Sequence, residues 1–222
     1  NIVLHAAKLG VHIIAITDHN AGDNVAAAQV AAAGTGVTVL AGMEVETKEE
    51  VHLVTLFGNN YAFARWQRFV RKHLPPRLND EGRFGAQFVV DAEDNLLKVE
   101  QQLLLTSLDV DIATVTKEVT ALGGLCIASH IDRPAYSILS QLGFIPSDVN
   151  LAAVEVSRHV PLVSAADRFK IKDLPIITAS DAHTLAEFIS GPKTVFFLEE
   201  PTFEEIRQAL AGENQRRVVV GD

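Results

Sequence analysis

Short apolar runs rich in Val and Ile alternate with segments of helical periodicity along most of the chain. Val11-His12-Ile13-Ile14-Ala15-Ile16 predicts a buried strand, and Asp23 predicts the cap of a helix running through the alanine-rich stretch to Gly34. Further strands are predicted over 37–41, 51–57, 125–128, 152–156, 175–179 and 194–198. Ile112, Val115, Val119 and Leu122 fall at helical spacing and stop at Gly123-Gly124. Thr202, with Glu205 three residues on, predicts a capping box that opens a closing helix. Strands buried on both faces and joined by helices imply a parallel sheet. Seven of them favour a barrel over an open sheet, and a barrel gathers its chemistry at the C-terminal ends of its strands.

The segment 59–106 breaks this rhythm. Phe63, Trp66, Phe69 and Val70 predict an amphipathic helix ended by Pro75-Pro76. The runs 87–90 and 95–99 flank Asp91 to Asp94 like a hairpin. The segment reads as an insertion over one rim of the barrel, either a lid or a packing subdomain. No repeat or linker divides the chain, so one domain over residues 1–222 is expected.

Composition narrows the class. A hydrophobic share of 48% and a charged share of 21% belong to an ordinary globular protein, and no run approaches the ~18 to 20 apolar residues of a membrane span. No basic leader precedes an apolar run at Asn1 to His5, and the single cysteine, Cys126, excludes an internal disulfide framework; a cytoplasmic setting is the expectation. A net charge of −9 argues against a surface that coats nucleic acid, although carboxylate ligands make any metal-free metalloprotein look acidic.

Polar residues recur where the strands end. Thr17-Asp18-His19-Asn20 closes the first, Gly42-Met43-Glu44-Val45-Glu46 the second, and Ser129-His130-Ile131-Asp132-Arg133 the fourth; His52 lies in the third. The fifth carries Glu155 and leads to Arg158, and the sixth ends in Ser180-Asp181-Ala182-His183. Residues i and i+2 of a strand point the same way, so Asp181 with His183, and Glu44 with Glu46, can each face one ion; Glu44 is the favoured ligand of its pair. Mixed imidazole and carboxylate donors suit Zn, Mn or Fe better than a calcium cage. His5, His12, His73 and His159 lie outside this pattern and read as structural or solvated.

The ordered set Ile16-Thr17-Asp18-His19-Asn20, Gly42-Met43-Glu44, Val51-His52-Leu53, Ala128-Ser129-His130 and Ala179-Ser180-Asp181-Ala182-His183 resembles the polymerase-and-histidinol-phosphatase (PHP) family across nearly the whole chain. The resemblance implies a distorted TIM-like (β/α)7 barrel holding up to three divalent ions. It implies that Glu44 bridges two ions, that His52 and His130 complete the shell of the second, that Asp181 helps hold the first, and that His19 and His183 hold the third. Asp18 would orient a ligand or touch metal. Family members open with a strand bearing His-x-His, whereas this chain begins within what would be the following helix, Asn1 to Leu9. The expectation is a chain lacking its first residues rather than a degenerate protein.

The resemblance further implies hydrolysis of phosphoesters, with Glu44 and Asp181 as catalytic residues; Arg133, three residues past His130, and Arg158, three past Glu155, read either as contacts to phosphate through their planar forks, Arg133 then joining the catalytic set, or as surface salt bridges. The N-terminus of the helix at Asp23 is another expected phosphate cradle. A small phosphate monoester or nucleotide is the expected substrate, and an oligonucleotide end, in the manner of a 3′–5′ exonuclease, is the alternative. A non-catalytic binding module and an amidohydrolase-type barrel are the competing classes; the second usually adds a bridging modified lysine, for which no strand end here has a candidate.

Overall fold

The computed structural model describes residues 1–219. Helix α1 (Ile2–Lys8) leads into β1 (Ile13–Ile16), α2 (Val25–Ala31), β2 (Thr38–Glu46) and β3 (His52–Phe57). The segment that breaks the rhythm forms α3 (Asn60–His73), a single turn α4 (Glu81–Phe84), and the hairpin β4 (Phe88–Val90) and β5 (Leu96–Val99). Then come α5 (Ile112–Ala121), β6 (Leu125–Ala128), α6 (Ile138–Leu142), β7 (Ala153–Val156), α7 (Leu162–Phe169), β8 (Ile176–Thr178) and α8 (Leu185–Ser190). Strand β9 (Val195–Phe197), α9 (Phe203–Ala211) and β10 (Arg217–Val219) complete the described residues. Among the described residues, no helix is long and apolar enough to cross a membrane.

The main sheet has six strands in the order β1-β2-β3-β6-β7-β8 and curls into a half-barrel, the distorted TIM-like form expected. It departs from the expectation of an all-parallel sheet at β3, which runs antiparallel to both β2 and β6. The physical reason lies in the connection. Only five residues, Thr47 to Val51, separate β2 from β3, and a parallel crossover needs a dozen or more. Thr47 donates its N–H to the carbonyl of Val51 at 2.9 Å, and Glu50 takes a left-handed φ of 61°, closing a hairpin. The seventh predicted strand, β9, leaves the main sheet and pairs antiparallel with β10.

Alternation along β2 divides the core. Met43 and Val45 join Leu53, Phe57, Trp66 and Val154 in one cluster, under α3, α5 and α7. Leu40 faces the other way and meets Leu56, Ile127, Ile177 and the α9 residues Ile206 and Leu210. Glu44 and Glu46 share the parity of Leu40, so they lie on that second face, at the end where β2 finishes. Gly42 beneath them has no room for a side chain: a Cβ would stand 2.8 Å from the methyl of Thr17. Trp66, fully buried, anchors α3 to the first face, and burying such a side chain contributes on the order of 2–3 kcal/mol.

Two capping expectations need correction. The N-cap of α2 is Asn24, not Asp23, and it makes no side-chain cap. Asp23 is engaged by Lys98 at 2.9 Å and Arg71 at 3.4 Å, while Asn24 bonds Asp18 and the backbone of the hairpin at Phe88 and Val90. The hairpin therefore lies against the start of this seven-residue helix, which offers no phosphate cradle. At α9 the hydroxyl of Thr202 accepts from the N–H of Glu205 as predicted. The Glu205 carboxylate, however, turns to Arg216 and the N–H of Glu199 instead of closing the box. Reciprocal boxes occur at Ser137/Ser140 and Thr184/Glu187.

Candidate metal centre

The residues Thr17 to Asn20 follow β1 and continue alongside β2. Asn20 donates its N–H to the carbonyl of Glu44 at 2.8 Å, and His19 forms a parallel bridge with Glu44. His52 opens β3, and because β3 is antiparallel its first residue lies at the end where β2 finishes. His130 follows β6 by two residues, in a left-handed backbone with φ 31°. Three elements thus bring three imidazoles to one carboxylate.

Glu44 is 7% exposed, and its two oxygens face different rings. Oε2 lies 3.4 Å from Nδ1 of His19; Oε1 lies 3.6 Å from Nδ1 of His52 and 3.7 Å from Nε2 of His130. These separations are too long for good hydrogen bonds. Ring centroids are 5.3 Å apart for His19 and His52, and 5.4 Å for His52 and His130. Burial holds His19 and His130 below the ordinary imidazole range, against the opposing pull of Glu44. Neutral rings keep a lone pair free, and Nδ1 of His130 is buried without a hydrogen-bond partner. One donor atom each from His19, Glu44 and His52 lie within 4.8 Å of one another. A largely buried nitrogen-and-oxygen donor set that leaves Nδ1 of His130 unpaired fits a divalent transition ion.

The other expected residues sit around this cluster with less uniform geometry. Asp181 and His183 follow β8 in a loop, with Asp181 at φ 43°, so strand alternation does not align them as expected. The Asp181 carboxylate is in ion-pair contact with Arg133. His183 places its ring 6.0 Å from His19, while its Nδ1 meets the Asp181 carbonyl at 3.1 Å. Asp18 faces Asn24 at 2.8 Å rather than the imidazoles; burial raises its carboxyl above the usual range, and the Asn24 bond and the nearby His19 only partly offset this. Arg158 is exposed and donates to the carbonyl of Ser180 at 3.2 Å. His73, read as solvated, pairs with Asp109 at 2.7 Å.

Sequence reasoning missed Tyr136 and Ser107, and noted Glu155 in its strand without giving it a role. Glu155 is 5% exposed on β7, and burial together with the charges of Glu44 and Asp181 pushes its carboxyl up to about 8. Its position at a strand end was the available signal. Tyr136 stacks on His52 with centroids 4.8 Å apart and planes 20° from parallel, and its carbonyl accepts from the His52 N–H at 2.9 Å. It sits in a left-handed backbone, φ 58°, that no spacing rule announces. Ser107, just beyond the rhythm-breaking segment, donates its hydroxyl to Glu46.

Comparison with known proteins bears on the family and the fold. The model of the PHP domain family matches residues 1–159. No curated protein matches the chain. Among solved structures, a lesion-specific endonuclease, EndoQ from Pyrococcus furiosus, is similar with TM-score 0.70 at 18% identity, over 98% of this chain and 52% of that one. Endonuclease Q in complex with a 27-mer duplex carrying an abasic lesion gives TM-score 0.65 at 17% identity, over 98% of this chain and 52% of that one. A candidate metal-dependent phosphoesterase from Bifidobacterium adolescentis gives TM-score 0.55 at 17% identity, over 96% of this chain and 90% of that one. The chain spans about half the length of the endonuclease Q structures.

Proposed function

This chain belongs to the PHP domain family, and from that membership we propose that it hydrolyses phosphoesters at a multinuclear divalent-metal centre built around Glu44. The observation that carries the reading is the split of Glu44, one oxygen toward His19 and the other toward His52 and His130. In this reading Glu44, His52 and His130 hold one ion, Asp181 helps Glu44 hold another, and His19 with His183 serve a third. Zn, Mn and Fe all suit the donors. Bound divalent ions supply Lewis acidity, neutralise phosphate charge and acidify an attacking water.

The protein's own part is geometry and charge. Burial keeps His19 and His130 neutral, so they bring donors without adding positive charge. Arg133, half exposed beside Asp181, offers a planar fork to a phosphate arriving at the rim, with Arg158 farther out. Residues 1–222 form one PHP-type domain in this reading, with the segment 59–106 as an insertion at its rim. The single cysteine, Cys126, is buried and its thiol is pushed up to about 12 by desolvation, which fits an inert structural thiol in a cytoplasmic setting.

A small phosphate monoester or nucleotide is the favoured substrate, because a net charge of −9 disfavours polyanions. An oligonucleotide is the second reading, supported by the fold shared with endonuclease Q. The test is to load the purified chain with Zn, Mn or Fe and assay p-nitrophenyl phosphate, its bis-ester, a single-stranded oligonucleotide and an abasic duplex. Monoester turnover is expected. Cleavage of the nucleic acids alone, with steep salt dependence, moves the reading to the second substrate. Metal bound without hydrolysis of any of them refutes the activity.

A further inference from the structure

His52 has a carboxylate at each ring nitrogen. Nδ1 faces Glu44 at 3.6 Å, and Nε2 faces Oε2 of Glu46 at 3.7 Å. The arrangement comes from the hairpin, because the β2–β3 register sets Glu46 directly opposite His52, and Glu44 lies two residues back on the same face. Glu46 is itself anchored. Its carbonyl accepts from the N–H of Leu108 at 2.8 Å, and its N–H reaches Oδ1 of Asn20 at 3.4 Å. Its second oxygen, Oε1, accepts from the hydroxyl of Ser107, which leaves Oε2 turned to the ring.

A neutral imidazole can give only one nitrogen to a metal, and the other carries a proton that needs an acceptor. A carboxylate in that place fixes the tautomer and the ring orientation. The geometry points to Glu46 as a positioning residue: held by Ser107, it faces Nε2 of His52 from 3.7 Å, beyond hydrogen-bond length here, and accepts the Nε2 proton when Nδ1 is drawn onto an ion beside Glu44. This rests on the Glu44-centred metal reading and deepens it. It also gives the chain just after the 59–106 segment a role in the centre, because Ser107 holds the carboxylate that holds the imidazole. The rival assignment makes Glu46 a direct ligand. Glutamine separates the two, since its carbonyl oxygen still accepts an N–H but is a much poorer metal ligand.

The experiment is a chelator-competition titration with Zn on the wild-type chain and on Glu46→Gln, Glu46→Ala and Ser107→Ala. Long-range ¹H–¹⁵N NMR of the histidine rings accompanies it. The expected result is that Glu46→Ala weakens the affected ion by about 10–100-fold, the usual cost of losing an outer partner. Glu46→Gln should restore most of that loss, Ser107→Ala should weaken binding only a few-fold, and wild-type His52 should be the Nε2–H tautomer. Loss of an ion from Glu46→Gln as complete as from Glu46→Ala makes Glu46 a ligand and overturns the inference. So does unchanged affinity in all three variants. A wild-type chain that binds no Zn overturns the metal centre itself, a distinct outcome from the other two.

Discussion

Arg133 and Asp181 are in ion-pair contact across the gap between the loop after β6 and the loop after β8. The guanidinium marked by sequence for phosphate is thus paired with a carboxylate marked for metal. The pair is only partly shielded, with Arg133 45% and Asp181 19% exposed in their side chains, so its own worth is modest. Under the proposed function Arg133 would exchange Asp181 for an incoming phosphate and leave Asp181 to a cation. Arg133→Ala is expected to raise KM for a phosphate ester about tenfold, the equivalent of one charge-assisted hydrogen bond at a wet rim. Turnover should change less than about threefold, and metal affinity should not fall. Steady-state kinetics and a metal titration check this; weakened metal binding would show that Arg133 serves the centre rather than the substrate.

Glu44 is a buried carboxylate whose oxygens face three imidazoles, two of them held neutral by burial. Without a cation such a group is poorly compensated. Glu44→Gln should therefore lower metal affinity by more than the about 10–100-fold that an outer partner costs, and abolish hydrolysis. In the chelated protein the same change should leave thermal stability equal or higher. Metal counts per chain and melts in chelator test both halves. Normal turnover by the variant would refute the shared-carboxylate assignment.

The strands and their order were legible because buried apolar runs and helical spacing are local patterns, and β1, β2, β6, β7 and β8 lie where those patterns fall. The direction of β3 was equally available in the five-residue link from Thr47 to Val51, but reading a parallel sheet from composition passed over it. That direction is what carries His52 to Glu44. The carboxylate and imidazole positions could be read because each sits near the end of a strand. Arg133 against Asp181, Tyr136 on His52 and Ser107 on Glu46 could not be, since each joins residues far apart in the chain. Left-handed backbones at His130, Tyr136 and Asp181 set the loop geometry involved, and no periodicity encodes them.

Glu155 should make the metal-free protein pH-sensitive. Its carboxyl is pushed from 4.5 to about 8, first by burial and then by the charges of Glu44 and Asp181. Between those values the folded chain holds a proton that the unfolded chain releases. The contribution to stability is therefore complete below about pH 4.5 and is lost as pH rises through about 8, at up to about 1.4 kcal/mol per pH unit. Glu155→Gln keeps the shape and removes the titration. Urea melts of both proteins in chelator at pH 5, 7 and 9 should diverge, with the variant progressively the more stable at high pH. Parallel curves would show that Glu155 does not titrate in this range.

Gly191 couples the end of α8 to the loop that holds Asp181. It follows Ser190 at the helix C-cap, and its N–H bonds the carbonyl of Glu187 at 2.7 Å. A Cβ there would stand 2.5 Å from Cβ and 2.9 Å from Cα of Ser180, and 2.7 Å from the Glu187 carbonyl oxygen. Two of these three atoms are backbone, so no side-chain rotation relieves the overlap. The Ser180 carbonyl is also the acceptor for Arg158, which limits how far that residue can retreat. Gly191→Ala must therefore push Ser180, and Asp181 next to it, away from α8. Overpacking of this kind costs about 1–3 kcal/mol, or roughly 3–10 °C in Tm for a chain of this size. The displaced Asp181 should weaken the ion it helps hold, while the Glu44, His52 and His130 set, carried on β2, β3 and the end of β6, keeps its affinity. A titration resolving a weaker and an unchanged ion, with the lowered melt, is the expected pattern. An unchanged melt would mean that the α8 contact gives way without cost, and equal weakening of both ions would tie the Glu44 set to the same loop.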